Sequence, residues 1–347
     1  MSHCPAHLLP VLRQLSADYF LSGEQVAQRL GCSRATVHNA IQAALGLEFA
    51  VHAVRGRGYR LARPVSWLEP ARLTAACAAD GVTLRVLDSL TSTNAALMAW
   101  AAGEGVAAEL QITPQRAPHR AAVVAEWQSQ GRGRRGRQWL AGLGGGLTFS
   151  FLWRSARPAA QLSGLSLAVG VALVRGLRSF GLQAAQVKWP NDIQVGGAKL
   201  AGILIELAND KSASDMLAPS SVVIGIGLNV SDGACLTKRL EQPVTDVSAQ
   251  RAASSGLIDR NELLLHIVRA LDVALARFEV AGFAPFQDEW QACHAHQGRP
   301  VNILHSQGEV TQGIALGVNH HGALLLETAA GVTALHAGEV SLRAQIL

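Results

Sequence analysis

The sequence lacks paired cysteines and long uninterrupted hydrophobic runs. Its five cysteines are scattered along 347 residues, and no C-x-x-C pair occurs among them. An odd, dispersed set argues against a disulfide framework and against a zinc site. The longest apolar stretch, residues 162–174, is interrupted by serine and glycine and is shorter than a membrane span requires. We therefore expect a cytoplasmic protein with no membrane segment, and its first residues do not resemble a signal peptide.

Other common functional signatures are missing as well. The histidines show no spacing that predicts a metal site built by the protein alone. The chain contains no Walker G-x-x-x-x-G-K-[ST] loop and no arrangement typical of a nucleophilic catalytic triad. Aromatic residues make up only 5% of the sequence, whereas glycine is common, with 34 residues. The length predicts two or three domains.

Positive charge is concentrated at the start of the chain. The net charge is +5, and residues 1–63 alone hold seven arginines against Asp18, Glu24 and Glu48. A small basic domain ahead of a nearly neutral body predicts nucleic-acid binding at the N-terminus and other chemistry behind it.

The basic segment has the pattern of a helix-turn-helix followed by a wing. In SGEQVAQRLGCSRATVHNAIQAAL, Gly31 permits a sharp turn and Ser33 is a natural N-cap for the second helix. FAVHAVRGRGYRLARP then predicts a basic hairpin. The candidate DNA-binding residues are Ser33, Arg34, Thr36, His38, Asn39, Arg55 and Arg57. A helix-turn-helix that contacts only protein stays an alternative.

Beyond residue 82, strands and helices do not alternate regularly, which predicts an α+β domain with a mixed or antiparallel sheet. GGGLTFSFLW alternates apolar and polar residues, the period of a half-buried strand. A hairpin is predicted around Gly196-Gly197, and mobile loops at 208–221 and 231–256. Short strands separated by glycine turns after residue 297 predict a small β-barrel of SH3-like size.

The stretch GRGRRGRQW, residues 131–139, carries two conflicting signals. Gly131, Gly133 and Gly136 match G-x-G-x-x-G, but no helix is predicted after them, which disfavours a dinucleotide-binding turn. Its position between two predicted core strands argues against a nucleic-acid tail. Arginines make bidentate, charge-assisted bonds to phosphate and carboxylate. We therefore predict a cationic lid that is mobile until it wraps a small anion.

Five motifs in register give the chain a resemblance to a known family. They are QSQGRGRRGRQW, KWPNDI, KLAGILIE, GIGLN and the terminal GEVSLR. Together they resemble biotin–protein ligases of the bifunctional kind that also repress the biotin operon. The resemblance implies a winged helix-turn-helix domain at 1–65, a catalytic domain of the biotin/lipoate ligase type at 66–296 and an SH3-like barrel at 297–347.

The resemblance also implies a reaction and its residues. Such ligases join biotin to ATP as biotinyl-5′-AMP and then pass the biotinyl group to a lysine of a carrier protein, so no Ser, Cys or His nucleophile is needed. The implied biotin contacts are Ser92, Thr93, Asn94, Gln128, Arg132, Gly133, Arg134 and Lys199. The implied catalytic residues are Arg132, Arg134, Lys188, Asp192 and Lys199, and the implied ATP contacts are Arg132, Arg134, Asn229 and Arg343.

Some roles stay open on the sequence alone. Asp192 either steers Mg²⁺ or orients the incoming lysine. Asn94 either caps the following helix or touches the ligand, and Trp139, Trp189, Gly202 and Gly227 are expected to be packing or turn residues.

The resemblance implies biotin, ATP and Mg²⁺ as substrates and cofactors. The implied partners are the biotin carboxyl carrier protein of acetyl-CoA carboxylase, operator DNA, and a second copy of the chain once adenylate is bound. Two alternatives remain: a lipoate-type ligase, which shares the catalytic fold, and a biotin-sensing regulator without ligase activity.

Overall fold

The computed structural model has three parts in chain order: a helical N-terminal unit, a central sheet covered by helices, and a small C-terminal sheet. The described residues are 6–104, 107–110, 112, 115–208, 218–240, 242–251, 256–305, 309–336 and 340–344. Among the helices they form, none has the length and apolar character needed to cross a membrane.

The N-terminal unit has the predicted winged-helix architecture. It contains α1 (Leu8–Gln14), α2 (Gly23–Leu30), α3 (Arg34–Gly46), β1 (Val51–Val54) and β2 (Gly58–Leu61). Gly31 ends α2 in the left-handed conformation, with φ 62°, and the Ser33 hydroxyl accepts a hydrogen bond from Thr36 N–H at 3.0 Å. Val37 and Ile41 are fully buried on the inner side of α3. The turn and the cap therefore follow from the residues that predicted them.

The wing is held against the segment that precedes α2. Strands β1 and β2 pair antiparallel, and Leu21 forms a further bridge with Tyr59. Gly58 has φ +98°, and a Cβ at this position would lie only 2.0 Å from Leu21 O. Glycine is therefore required where the wing approaches the helical body.

The central part combines one mixed sheet with helices on both faces. Its strands are β3 (Thr83–Leu90), β4 (Ala121–Gln128), β5 (Gly146–Ser155), β6 (Gln186–Lys188), β7 (Asp192–Val195), β8 (Ala198–Leu207) and β9 (Ser220–Asn229). Its helices are α4 (Pro70–Ala79), α5 (Thr93–Ala102), α6 (Ala107–Leu110), α7 (Leu165–Ser179), α8 (Gly233–Leu240), α9 (Val247–Gln250), α10 (Arg260–Ala281) and α11 (Gln287–Ala292). The sheet order is β3-β4-β5-β9-β8-β7-β6, with only β3 and β4 parallel, so the predicted mixed sheet is confirmed.

Strand β5 is buried on both faces rather than half-buried as its alternation predicted. Phe149 and Phe151 point into the main core, which includes α7 and α10. Leu152 points to the opposite face, into the core formed with α5. Thr148 and Ser150 are 4% and 0% exposed. The polar residues of β5 are therefore buried as well, because helices pack on both faces of the sheet.

The turn at Gly196-Gly197 has the predicted form, since both residues have positive φ, at +57° and +83°. The loops expected at 208–221 and 231–256 are only partly loops. Strand β9 already begins at Ser220, and α8 and α9 occupy much of the second segment. Residues 209–217, 241 and 252–255 lie outside the described residues. The expectation of a loop is therefore wrong at α8 and α9, which are short helices of eight and four residues.

The C-terminal part is a small antiparallel sheet. Its strands are β10 (Pro300–His305), β11 (Val310–Val318), β12 (Leu324–Thr328), β13 (Gly331–Leu335) and β14 (Val340–Ala344), in the order β13-β12-β11-β10-β14. Within the described residues β13 and β14 are the two edges of the sheet, so closure into an SH3-like barrel stays a prediction. The domain boundaries at 65/66 and 296/297 likewise stay predictions.

A buried ion pair fastens the linker to the central sheet. Arg260 Nη2 lies 2.7 Å from Glu126 Oε2, and both side chains are at most 1% exposed. The same guanidinium donates to Ser66 O at 2.7 Å and to Gly146 O at 2.9 Å. Glu126 also accepts a hydrogen bond from Leu68 N–H. One carboxylate and one guanidinium thus join the linker, β4, β5 and α10.

We predict that Glu126→Gln lowers the free energy of unfolding by about 3–5 kcal/mol, because it leaves the buried Arg260 charge without its counterion. Urea unfolding of the full chain measures this change. The double variant Glu126→Leu/Arg260→Met removes both charges and should regain part of the loss. A change below about 1 kcal/mol for the single variant would contradict this prediction.

Candidate active site

Four of the residues predicted to contact biotin, Ser92, Thr93, Asn94 and Gln128, meet around the N-terminus of α5. Ser92 is the N-cap of α5, and its hydroxyl accepts a hydrogen bond from Ala95 N–H at 3.4 Å. Thr93 N–H donates to Gln128 Oε1 at 2.7 Å, which joins α5 to the last residue of β4. Ser92, Thr93 and Asn94 are all buried. The cap is Ser92, so Asn94 does not cap the helix.

Asn94 instead turns its amide toward the sheet. Its Oδ1 accepts a hydrogen bond from the Ser150 hydroxyl, and its Nδ2 donates to Glu206 Oε2 at 2.9 Å. Gly225 on β9 makes this possible, because a Cβ there would lie 2.1 Å from Asn94 Oδ1. Ser150 of β5, Glu206 near the end of β8 and Gly225 in the middle of β9 therefore lie beside Asn94 at the start of α5.

The glycine-rich loop after β4 folds into a tight hairpin. Arg132 and Gln138 form an antiparallel bridge, and Trp139 N–H donates to Gly131 O at 2.9 Å. A single 3-10 turn, Arg134–Gly136, lies at its tip, and β5 follows. No helix begins at these glycines, so a dinucleotide pyrophosphate would find no helix N-terminus here. The structure agrees with the rejection of the G-x-G-x-x-G interpretation.

Two lid arginines bind polar side chains of the sheet. Arg132 Nη2 donates to Glu206 Oε1 at 2.7 Å, and Arg134 Nη1 donates to Asn191 Oδ1 at 2.8 Å. Burial, followed by the nearby charge of Arg135, lowers the pKa of Arg134 from its ordinary value. Arginine nevertheless remains charged at neutral pH. Through Glu206, the Arg132 guanidinium is therefore linked to Asn94 at the start of α5.

Sequence reasoning missed these two acceptors, Asn191 and Glu206. Asn191 lies in the turn between β6 and β7, and its Nδ2 donates to Ile203 O on β8 at 2.9 Å, which orients its amide. Both residues lie inside motifs that the sequence analysis quoted, KWPNDI and KLAGILIE. Their positions inside these motifs indicated that Asn191 and Glu206 belong to the site. Nothing in the sequence, however, identified lid arginines as their partners.

Three further predicted residues come together on β6, β7 and β8. Lys199 Nζ lies 2.8 Å from Asp192 Oδ1. Lys188 is opposite Asp192 in the antiparallel pairing of β6 and β7. The site thus holds a carboxylate between two lysine positions, in addition to the lid arginines.

Trp139 closes the site from the end of the lid. A Cβ on Gly227 would lie 2.3 Å from Trp139 Cε2, and one on Gly202 would lie 3.2 Å from Cζ3. The Lys199 ammonium is 5.7 Å from the indole centroid. Trp139 Nε1 is buried without a hydrogen-bond partner among the described residues. Because Gly202 and Gly227 have no side chain, the Trp139 ring packs directly on the backbone of β8 and β9, and the two glycines form a glycine floor beneath it. This agrees with the packing role predicted for them.

The two residues assigned only to ATP differ in what the structure describes. Asn229, at the end of β9, is 3% exposed. Its Nδ2 donates to Lys199 O at 3.4 Å and to Thr245 O at 3.2 Å, so the amide ties β8 to the segment before α9. Arg343 lies in β14, opposite Asn302, and its side chain lies outside the described residues. Contact of either residue with ATP stays a prediction.

The strand that carries Lys188 is paired with the segment leading into the C-terminal sheet. Val187 N–H donates to Cys293 O, and Ala295 N–H donates to Val187 O, both at 2.9 Å. The pKa of His294 and that of His296 are each lowered to about 4, mainly by burial, and at His296 the Lys188 charge contributes to this lowering. Both imidazoles are therefore neutral at pH 7, and the positive charge here belongs to lysine.

Within the described residues, no group of three or more His, Cys, Asp or Glu side chains could hold a metal ion. Asp192 is paired with Lys199, and Glu206 is paired with Arg132.

The predicted DNA-binding residues lie on the outer side of α3 and on the wing. Arg34, His38, Asn39, Arg55 and Arg57 are exposed. The Ser33 and Thr36 hydroxyls are 2.9 Å apart, at the first turn of α3. Two wing arginines, Arg57 and Arg60, lie over the Phe20 ring at 4.6 and 5.1 Å. Phe20 is a wing support that the sequence analysis did not identify.

Comparison with known proteins gives the class of protein to which the chain is similar. The Biotin/lipoate A/B protein ligase family model matches residues 88–229, an HTH domain model matches 7–60, and the Biotin protein ligase C terminal domain model matches 296–343. Among solved structures, a biotin protein ligase from Aquifex aeolicus in complex with biotin and ATP is 26% identical. It has a TM-score of 0.61 and covers 76% of this chain and 99% of that chain.

The relatives narrow the class to one family. The chain is 34% identical over 336 residues to the bifunctional ligase/repressor BirA of Escherichia coli, covering 96% of this chain and 97% of that protein. It is 29% identical over 335 residues to BirA of Bacillus subtilis, covering 94% of this chain and 95% of that protein. The chain belongs to the family of bifunctional biotin ligase/repressors, so the resemblance found in its motifs is confirmed.

We predict that Gly227→Ala increases the rate at which trypsin cleaves the loop 132–137, because the new Cβ displaces the indole that anchors the loop. Mass spectrometry of timed digests identifies the cleavage sites. Gly46→Ala is the matched control, since a Cβ there meets nothing within 4 Å. Equal cleavage rates for the two variants would show that Trp139 does not anchor the loop.

Proposed function

We propose that this protein is an ATP-dependent biotin–protein ligase that also binds operator DNA as a repressor. In the first step it joins biotin to ATP, and in the second it transfers the biotinyl group to a lysine of a biotin carboxyl carrier protein. The carrier is that of acetyl-CoA carboxylase.

One observation supports this proposal above the others. A hairpin carrying four arginines is held against a glycine floor, beside a buried polar cluster and the Lys199–Asp192 pair. This arrangement suits a ligand with a polar, uncharged head and a carboxylate that is becoming bonded to phosphate. Biotin and ATP have that combination of groups.

In the first step an oxygen of the biotin carboxylate attacks the α-phosphorus of ATP. The bond from that phosphorus to the bridging oxygen breaks, and pyrophosphate leaves with its electron pair. Arg132, Arg134, Lys188 and Lys199 neutralise the charge that gathers on the phosphate and carboxylate oxygens. Asn229 and Arg343 are assigned to the nucleotide. The acceleration comes from positioning and charge stabilisation, since biotin supplies its own nucleophile.

The polar residues at the start of α5 are assigned to the biotin head. Ser92, Thr93, Asn94 and Gln128 offer hydroxyl and amide groups within one buried cluster. The backbone of Gly133 and the side chains of Arg132 and Arg134 close the opposite side. Trp139 and the lid exclude water, which protects the mixed anhydride from hydrolysis.

In the second step the uncharged amine of the carrier lysine attacks the acyl carbon of the adenylate. An amide bond forms, the bond from that carbon to the phosphate oxygen breaks, and AMP leaves. The ammonium that forms loses one proton. Asp192 is paired with Lys199, and we assign it to the approach of the lysine or to Mg²⁺.

We propose that Mg²⁺ enters with the nucleotide. This ion is usually held by substrate phosphates and one or two carboxylates, which fits a site that contains Asp192 beside Lys199. Bound there, Mg²⁺ would neutralise charge on the departing pyrophosphate.

The regulatory half of the proposal concerns the N-terminal unit. The exposed residues of α3 face a major groove, and Arg55 and Arg57 meet phosphates. Biotinyl-5′-AMP would be the corepressor. We propose that the chain forms a dimer once adenylate is bound, because a palindromic operator presents two equivalent half-sites.

Pyrophosphate exchange tests the ligase half directly. With ATP, Mg²⁺ and biotin, labelled pyrophosphate should enter ATP, and an added carrier protein should become biotinylated. Lipoate in place of biotin should give no exchange. Exchange with lipoate but not biotin would favour a lipoate ligase, and tight biotin binding with neither exchange nor labelling would favour a sensor without ligase activity.

We predict that operator binding with biotin and ATP present falls steeply as salt rises, because bound phosphates release counterions. Arg57→Ala should reduce the slope of log affinity against log salt by about 0.9. Arg277→Ala, which removes the same charge from α10, is the control and should leave the slope unchanged. An operator affinity that is independent of salt would contradict the role given to the basic wing.

A further inference from the structure

Glu206 joins the buried polar cluster to the cationic lid. Its Oε2 accepts from Asn94 Nδ2 at 2.9 Å, and its Oε1 accepts from Arg132 Nη2 at 2.7 Å. Its side chain is 21% exposed, and Asn94 is 4% exposed. A single carboxylate, near the end of β8, therefore binds Asn94 of the buried polar cluster with one oxygen and Arg132 of the lid with the other.

The carboxylate determines which way the Asn94 amide faces. An ionised carboxylate only accepts hydrogen bonds, so the group that faces Glu206 must be the NH₂ of Asn94. On the other side, Ser150 is fully buried, and its hydroxyl donates to Asn94 Oδ1 while lying 2.8 Å from Thr93 Oγ1. Leu204 O is a second, longer acceptor for the same Nδ2, at 3.5 Å, so Glu206 supplies the shorter and charged bond of the two that orient the amide.

The same carboxylate holds the first lid arginine. Guanidinium carries five N–H donors in a rigid fork, so fixing one end with a charge-assisted bond orients the others. Arg132 is 49% exposed. It therefore remains open to an incoming anion while its Nη2 stays bound to the sheet.

We propose that Glu206 is a positioning residue for ligand capture: it sets the Asn94 amide and the Arg132 guanidinium in one geometry, so that the polar head and the anionic end of the ligand are recognised together. This inference rests on the proposed function, in which Asn94 and Arg132 both contact biotin. Glu206 itself touches no reacting atom.

The alternative is an ordinary surface ion pair. An exposed arginine–glutamate pair contributes about 0–1 kcal/mol, and its removal would leave ligand kinetics unchanged. The bond to Asn94 distinguishes Glu206 from such a pair, because it reaches a side chain that is almost fully enclosed.

Glu206→Gln is the informative substitution. A glutamine has the same shape, but only one of its two terminal atoms accepts hydrogen bonds. Its NH₂ must therefore face either the Asn94 NH₂ or the Arg132 guanidinium. We expect KM for biotin and the rate of adenylate release each to rise about tenfold, with KM for ATP nearly unchanged.

A double-mutant cycle with Arg132→Ala tests whether the effect passes through the lid. Once Arg132 is absent, Glu206→Gln should raise adenylate release much less than about tenfold. Glu206→Asp keeps the charge and should recover part of the wild-type affinity. The matched control is Glu289→Gln, which removes a carboxylate from the Arg175 pair elsewhere in the fold. It should leave KM for biotin and the rate of adenylate release unchanged.

Tryptic cleavage after Arg132 in the ligand-free chain gives a readout that needs no activity. It should be faster in Glu206→Gln than in wild type or Glu289→Gln. Wild-type kinetics in Glu206→Gln, or effects that add fully with those of Arg132→Ala, would overturn the inference. A wild-type chain that forms no adenylate would refute the proposed function instead, and the cleavage rates would still decide whether Glu206 holds the lid.

Discussion

Four arginines within residues 132–137 repel one another, and the site depends on how that repulsion is relieved. Glu206 and Asn191, both carried by the sheet, accept hydrogen bonds from Arg132 and Arg134. The lid therefore takes its position from the sheet rather than from its own backbone preferences. Trp139 adds a packing anchor on the glycines of β8 and β9. Two of the four lid cations are thus bonded to polar side chains of the central part of the chain.

The segment that follows the lid packs against the DNA-binding unit. Leu143, between Trp139 and β5, is buried within the winged-helix core. Arg63, at the end of the wing, forms an ion pair with Asp232, just beyond β9. The Glu126–Arg260 pair ties the linker to strands that flank the lid. Ligand site and DNA-binding unit therefore share a packed boundary, so the proposed corepressor acts close to the part of the chain that it regulates.

Local chemistry made much of this protein predictable from its sequence. Gly31 and Ser33 mark the helix-turn-helix because few residue types suit a left-handed backbone position or a helix N-cap. The paired glycines at 196 and 197 mark a tight hairpin for the same reason. Five motifs between residues 128 and 343 indicated the family, and they contain most of the residues now found together around the lid. The irregular order of strands and helices excluded a doubly wound fold.

Tertiary packing decided the rest. Strand β5 reads as half-buried, yet helices cover both faces, and its polar residue Ser150 becomes part of the site. Asn94 faces Ser150 and Glu206 only because Gly225 leaves room for it. Glu206 lies 74 positions from Arg132 along the chain, and no local pattern encodes that pairing. The sequence by itself determined which chemical groups are available and where the chain turns. Only the folded sheet decided which groups meet, because hydrogen bonds between distant residues depend on strand order and register.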